Sequence, residues 1–190
     1  EYEPQVLREL GDMYAWQLDT EKAIDVYKKA VKENPDDIKA RLGLARMYIW
    51  SEMHDKALAE YDAVLAKDPS LLKAKVKEAE IYSWKDRLSK AWDLYEEVLQ
   101  QSPGNIEALN GEARIMVWQG HHREGAAHYR EILERYPDNA EALEGLAFAL
   151  HWDGREAESL GTLRRLMQVR PSSIHGGRLL SASAPSGPAL

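Results

Sequence analysis

The sequence predicts an all-α solenoid of five helix-turn-helix repeats, and three residue columns support this prediction. Tryptophan, proline and a small residue each recur with a period of 34 residues. The tryptophans are Trp16, Trp50, Trp84, Trp118 and Trp152; the prolines are Pro35, Pro69, Pro103, Pro137 and Pro171; the small residues are Gly11, Ala45, Ala79, Ala113 and Ala147. A fixed period of this length marks an architecture in which each repeat buries its apolar face against its neighbours. We place the repeats at 4–37, 38–71, 72–105, 106–139 and 140–173.

Each repeat is expected to contain two amphipathic helices, as the second repeat illustrates. Apolar residues at helical spacing form one stripe on each side of a short break at residues 51–54. The stripes contain Ala45, Tyr48 and Ile49, then Ala57, Leu58, Tyr61 and Leu65. Pro69 ends the second helix, because proline cannot occupy a helix interior.

Residue types at the predicted helix ends agree with this division. Candidate N-caps precede four of the first helices at Asp36-Asp37, Ser70, Gly104-Asn105 and Asp138-Asn139. Gly120 and Gly154 suit the left-handed conformation that often ends a helix. Leu18, Glu52 and Asp86 occupy the equivalent sites of the first three repeats, so those turns must close differently or under strain.

Composition argues against several functional classes. The net charge of -7 and the pI of about 5.4 argue against a nucleic-acid partner. No apolar run is long enough to span a membrane, and the absence of cysteine excludes thiolate metal sites. His121, His122 and His128 lack the spacing that a metal site needs. No nucleophile paired with a base and no phosphate-binding glycine loop is recognisable, so we expect no catalysis, no cofactor, no metal and no membrane contact.

The repeat resembles the tetratricopeptide repeat (TPR), whose period is also 34 residues. The resemblance is clearest at Leu10-Gly11, Tyr14, Ala23, Tyr27, Ala30 and Pro35, and it extends over all five repeats. It implies a right-handed superhelix whose first helices line a concave groove and whose second helices form the convex back. Since the chain enters the first repeat at once after Glu1, we expect it to be part of a longer array. We expect residues 174–190 to form a short capping piece and a flexible tail.

One face of the first helices combines tryptophan with charge. Counted from the start of each repeat, the five tryptophans occupy position 13, and we call them the tryptophan comb. Position nine, one helical turn earlier on the same face, carries Asp12, Arg46, Glu80, Arg114 and Phe148. The first four of these residues alternate in charge. The resemblance places this face at the groove, so the comb and these four charged residues are the candidate binding residues.

Three interpretations of the comb remain open at this point. The tryptophans can pack solely between adjacent first helices, beside an inter-repeat ladder of ion pairs that adds little if it is exposed. They can be hot spots for a protein partner, where tryptophan and arginine predominate. They can also stack on the sugars of a linear polysaccharide. At position seven, Glu78 and Glu112 replace the leucine of other repeats, so we expect them to be partly exposed or ion-paired. The alternative is a local defect that the middle repeats use for recognition.

A second resemblance concerns the residues around the comb. Four motifs look like the tryptophan-bearing TPRs of bacterial outer-membrane exopolysaccharide-secretion proteins: Tyr14-Ala15-Trp16, Tyr48-Ile49-Trp50, Tyr82-Ser83-Trp84 and Val117-Trp118-Gln119-Gly120. There, a periplasmic TPR region guides the polymer or docks the enzyme that modifies it. The resemblance implies a periplasmic scaffold for biofilm assembly whose partner is a polysaccharide-modifying enzyme or the polysaccharide itself. A cytoplasmic location is the alternative.

Overall fold

The computed structural model describes residues 3–170, and these residues form ten α-helices and no strand. The helices are α1 (Pro4–Trp16), α2 (Thr20–Glu33), α3 (Ile38–Trp50), α4 (His54–Lys67), α5 (Leu72–Trp84), α6 (Leu88–Gln101), α7 (Ile106–Trp118), α8 (His122–Arg135), α9 (Ala140–Trp152) and α10 (Glu156–Val169). The expected fold class, an all-α solenoid of helix-turn-helix repeats, is confirmed. The predicted C-terminal piece at residues 174–190 lies outside the described residues.

The chain divides into two compact units between Leu94 and Tyr95, and each unit is described separately. In the N-terminal unit, the α1–α2 and α3–α4 hairpins pack together through α2 and α3, and α4 packs on α5. In the C-terminal unit, the α7–α8 and α9–α10 hairpins pack together through α8 and α9. Within each unit, a hairpin therefore contacts its sequence neighbours, which is the packing expected of a solenoid.

A column of buried tyrosines fills the space between successive repeats. The four tyrosines are Tyr27, Tyr61, Tyr95 and Tyr129. A glycine of the following repeat faces three of these rings, and a Cβ added at Gly43, Gly111 or Gly145 would lie within 2.6 Å of the ring. Glycine at these positions therefore allows the first helix to approach the preceding tyrosine closely.

Three of the four predicted caps at the starts of first helices are confirmed. The side chains of Asp37, Asn105 and Asn139 accept hydrogen bonds from the backbone N–H three residues later, at 3.0, 2.9 and 2.7 Å respectively. The expectation for Ser70 is wrong. Leu71 is the N-cap residue of α5 and makes no side-chain cap, whereas the Ser70 hydroxyl donates to Asp68 at 2.6 Å. Ser70 lies one residue before the position that caps the other helices.

The turns after the first helices close alike in all repeats, and three do so with an unfavourable residue. Gly120 and Gly154 have φ angles of 86° and 78°, as expected. Leu18, Glu52 and Asp86 adopt the same left-handed region, with φ of 60°, 56° and 57°. The following N–H reaches back to the helix in each case, as from Met53 to the Tyr48 carbonyl at 2.8 Å and from His121 to Met116 at 2.9 Å. The predicted strain is therefore present, and the turn geometry is unchanged.

Candidate functional site

Each comb tryptophan is the last residue of a first helix and lies at the protein surface. The exposed fractions are 92% for Trp16, 53% for Trp50, 48% for Trp84, 44% for Trp118 and 50% for Trp152. Side chains used solely to fill a core are usually almost fully buried. In the last four tryptophans about half of each surface is covered and half is open, so packing and ligand contact are compatible in one residue.

The N-terminal unit contains a cleft of about 440 Å³ between α3 and α5, which we call cleft 1. Two successive comb tryptophans, Trp50 and Trp84, line it together with the buried ring of Tyr61. The other lining residues are Leu42, Arg46, Ile49, Lys73, Ala74, Lys77 and Glu80. An aromatic and aliphatic surface is thus surrounded by several charged groups.

The C-terminal unit contains a cleft of about 490 Å³ between α7 and α9, which we call cleft 2. It is lined by the next two comb tryptophans, Trp118 and Trp152, together with Tyr129. The other lining residues are Arg114, Val117, Glu141, Glu144, Gly145, Phe148 and Arg170. Eight of the lining residues in each cleft occupy the same positions of the 34-residue repeat. Cleft 2 is therefore the equivalent of cleft 1, formed by the fourth and fifth repeats instead of the second and third.

The first comb residue has a separate surface. Trp16 and Asp12 line a shallow hollow of about 340 Å³ with Met13 and Gln17. The candidate residues are therefore distributed over three places: Asp12 and Trp16 in this hollow, four residues in cleft 1 and three in cleft 2.

Residues of neighbouring elements hold the comb rings in place. The rings of His54 and Trp84 lie 5.6 Å apart, and those of His122 and Trp152 lie 5.7 Å apart. Both histidines begin the second helix of one repeat and contact the tryptophan of the next. In cleft 2, Phe148 adds a ring contact with Trp152 at 5.8 Å. These contacts restrict the indole rings and so reduce the entropy that a ligand would have to remove on binding.

The charged residues at position nine were expected to pair with one another from repeat to repeat. Arg46 and Asp12 form such a pair, with a nitrogen–oxygen distance of 4.0 Å. Glu80 binds Lys77 of its own helix at 2.9 Å. Arg114 binds Glu141 at 2.8 Å and lies 5.6 Å from the centre of the Trp118 ring. The column is thus built mainly from pairs with residues outside it.

Buried tyrosines connect this column to the core. Tyr27 donates a hydrogen bond to Asp12 at 2.5 Å, and Arg114 donates one to Tyr95 at 3.2 Å. Burial raises the pKa of Tyr61 to about 12, and the Glu80 carboxylate contributes to the shift. Burial likewise raises the pKa of Tyr129. The phenols under both clefts are therefore neutral at physiological pH and present a hydroxyl group rather than a charge.

Comparison with known proteins identifies the repeat. Two tetratricopeptide-repeat family models match residues 17–82 and 110–173. The chain is a TPR protein. No curated protein sequence matches it significantly.

Solved TPR proteins share this fold. A TPR protein from Parabacteroides merdae is similar over 94% of this chain and 72% of its own, with a TM-score of 0.87 and 18% identity. A thermophilic TPR protein of Thermus thermophilus is similar over 94% and 98%, with a TM-score of 0.76 and 21% identity. YrrB, described as a TPR protein with an unusual peptide-binding site, is similar over 92% of this chain and 90% of its own, with a TM-score of 0.64 and 14% identity. At these identities the likeness establishes the fold alone.

Sequence reasoning missed part of both clefts. Position two contributes Lys73 to cleft 1 and Glu141 to cleft 2, and position six contributes Lys77 and Gly145. These residues differ in chemistry between repeats, so a search for recurring residue types passes over them. The 34-residue period itself could have identified them, since positions two, six and nine are about one helical turn apart.

The two glutamates at position seven of this TPR protein differ in environment. Glu78 is buried, and the Lys90 ammonium lies 4.0 Å from its carboxylate. Glu112 is partly buried, and burial raises its pKa, with a further contribution from Glu96. The expectation that these residues are ion-paired or partly exposed agrees with both environments.

Within residues 3–170 no group of three or more metal-ligating side chains lies close enough together to bind an ion. Among the described helices, none combines the length and apolar character required to cross a bilayer.

Proposed function

We propose that this TPR protein is a non-catalytic scaffold that binds a protein partner through the tryptophan comb and the two clefts. The observation that carries the proposal is the exposure of five tryptophans at one repeat position, the last residue of every first helix. Exposed apolar groups that recur in this way mark an interaction surface, and tryptophan and arginine are the side chains most enriched in binding hot spots.

The proposed setting is a bacterial exopolysaccharide export assembly in the periplasm, where the scaffold contributes to biofilm formation. The support for this setting is the resemblance of Tyr14-Ala15-Trp16, Tyr48-Ile49-Trp50 and Tyr82-Ser83-Trp84 to the TPRs of secretion proteins. The partner proposed on this basis is a periplasmic enzyme that modifies the polysaccharide. YrrB, a structural neighbour, is described as having a peptide-binding site, which is compatible with a protein ligand.

The alternative function is direct binding of the polysaccharide along the comb. The open half of each indole ring and the charged groups beside it favour this alternative. A flat ring can cover the C–H face of a sugar, while arginine and carboxylate groups bind its hydroxyls.

Comb variants test the proposal against this alternative. The binding of purified polysaccharide-modifying enzyme and of matching oligosaccharides is measured by calorimetry for the native chain and for Trp50→Ala and Trp118→Ala. Trp92→Ala is the matched control, because Trp92 lies on α6 outside the comb. We expect each comb variant to weaken enzyme binding at least about tenfold, the loss typical of a hot-spot residue, with Trp92→Ala unchanged.

Circular dichroism and thermal unfolding confirm that each variant is folded. Enzyme binding that survives all comb substitutions would contradict the proposal. Oligosaccharide binding that depends on the comb, without any enzyme binding, would establish the alternative.

A further inference from the structure

The two clefts share an aromatic wall and differ in charge. The shared wall comes from the first repeat of each pair and consists of an arginine, an aliphatic residue, a comb tryptophan and a tyrosine. The opposite wall comes from the next repeat and changes at three positions. Position two is lysine in cleft 1 and glutamate in cleft 2, position six changes from lysine to glycine, and position nine changes from glutamate to phenylalanine.

Cleft 1 carries an excess of positive charge. Its ionisable lining groups, apart from Tyr61, are Arg46, Lys73, Lys77 and Glu80, which gives three cations and one anion. Lys77 is neutralised by Glu80 at 2.9 Å. Arg46 keeps a half-exposed side chain at 4.0 Å from Asp12, and Lys73 is exposed without an ion pair among residues 3–170. Two cations in the lining of cleft 1 therefore have capacity for an added carboxylate.

Cleft 2 is balanced in charge. Two arginines, Arg114 and Arg170, are matched by two glutamates, Glu141 and Glu144. Arg114 is already bound to Glu141 at 2.8 Å and covers Trp118. Phe148 takes the place that Glu80 has in cleft 1 and packs on Trp152, so the opposite wall of cleft 2 carries an aromatic pair beside its two glutamates.

We infer that the clefts accept different side chains of one class of ligand, a protein segment of non-uniform sequence. Cleft 1 receives an acidic side chain, which Arg46 and Lys73 bind beside Trp50. Cleft 2 receives an uncharged aromatic or aliphatic side chain between Trp118 and Trp152. This inference rests on the proposed function of the comb as a binding surface.

Charge complementarity favours a protein over a polysaccharide of uniform repeating units. Such a polymer presents the same sugar to both clefts, so an anionic polymer would match the net positive charge of cleft 1 and meet no net positive charge in cleft 2. A neutral polymer would leave the cations of cleft 1 without a partner. A protein ligand can supply a carboxylate for cleft 1 and an apolar ring for cleft 2, which satisfies each cleft separately.

Fluorine NMR on the full chain, labelled with 5-fluorotryptophan, observes each cleft separately. The six tryptophans give six signals, assigned by single Trp→Phe variants. The probes are a capped tripeptide of two aspartates around leucine, its asparagine isostere, a capped tripeptide of two asparagines around phenylalanine, hexameric oligogalacturonate and chitohexaose.

We expect the acidic tripeptide to shift the Trp50 and Trp84 signals, with an affinity about fivefold above that of its isostere and reduced by added salt. The phenylalanine tripeptide should shift the Trp118 and Trp152 signals instead. Lys73→Glu should remove the preference of cleft 1 for the acidic probe. Lys29→Glu, a similar charge reversal at an exposed site on α2, should leave it unchanged.

Equal shifts at both clefts with oligogalacturonate or chitohexaose would overturn the inference in favour of a glycan. Equal affinity of cleft 1 for the acidic tripeptide and its isostere would overturn it while leaving the comb as a binding surface. The proposed function would be contradicted as well if no probe shifted the fluorine signal of any comb tryptophan and if the comb variants bound the enzyme as tightly as the native chain.

Discussion

A glycine at position six controls how closely two repeats approach, and Gly145 gives the sharpest test. A Cβ at this position would lie 2.2 Å from the Tyr129 ring, which is itself buried. We expect Gly145→Ala to lower the free energy of unfolding by about 1–3 kcal/mol, the usual cost of overpacking a core. Denaturant unfolding measures the change.

Gly161 is the matched control for Gly145, because it lies in α10 with no atom near its added Cβ. Gly161→Ala should stabilise by about 1 kcal/mol through helix propensity alone. If the loss at Gly145 comes from the tyrosine, the additional change Tyr129→Leu should recover part of it. Equal effects of the two alanine substitutions would contradict the close-approach explanation.

Glu112 introduces a pH dependence at a position where leucine is found in other repeats. Burial raises the pKa of Glu112 above 4.5, the ordinary value for a glutamate, so the folded state holds the proton more tightly than the unfolded state. Ionisation of Glu112 therefore costs folding free energy at pH values above its folded pKa, and this cost disappears as the pH falls below 4.5.

We expect Glu112→Gln to stabilise the fold at pH 7 by less than about 1 kcal/mol, since the side chain keeps partial solvent contact. The gain should vanish near pH 4, where thermal unfolding of the variant and the native chain should coincide. Glu131→Gln on the exposed surface of α8 is the control and should show no such dependence. A gain that is the same at both pH values would disprove the role of ionisation.

The helix ends could be predicted from the sequence where the residue acts locally. Gly120 and Gly154 indicated left-handed turns because glycine adopts positive φ without a steric cost, and the structure has them. The prediction for Ser70 failed because capping requires the residue at one exact position before the helix, and Ser70 lies one residue too early. Its hydroxyl instead donates to Asp68. Leu18, a residue with no preference for such a turn, is held there by the repeat geometry.

The strained turns predict an asymmetry among otherwise equivalent elements. Glu52 has φ of 56° in the turn between α3 and α4, where Gly120 serves the α7–α8 turn. Glu52→Gly should therefore stabilise by about 1 kcal/mol, and Gly120→Ala should destabilise by a similar amount. Thermal unfolding of both variants checks the pair. A loss of stability in Glu52→Gly would show that the side chain contributes more than the backbone strain costs.

At the scale of the molecule, the period of 34 residues was enough to predict the architecture, because each repeat must bury the same apolar face against its neighbours. The clefts were only half predictable. Trp50 and Arg46 could be found because they recur in type and position, as do Trp118 and Arg114. Lys73 and Glu141 occupy the same repeat position and have opposite charge. Only the structure showed that both residues line equivalent clefts.

Because each hairpin contacts its neighbours within its unit, damage to one repeat should remain local. Gly145 lines cleft 2 and lies in α9, so Gly145→Ala should increase amide hydrogen exchange in α8, α9 and α10. Exchange in α1–α4 should stay at its native rate, and the fluorine signals of Trp50 and Trp84 should keep their response to the acidic tripeptide. Gly161→Ala should change neither the amide exchange rates nor the fluorine response to the acidic tripeptide. A uniform rise in exchange along the chain would show that the array unfolds as one cooperative body, and then the two clefts could not be lost independently.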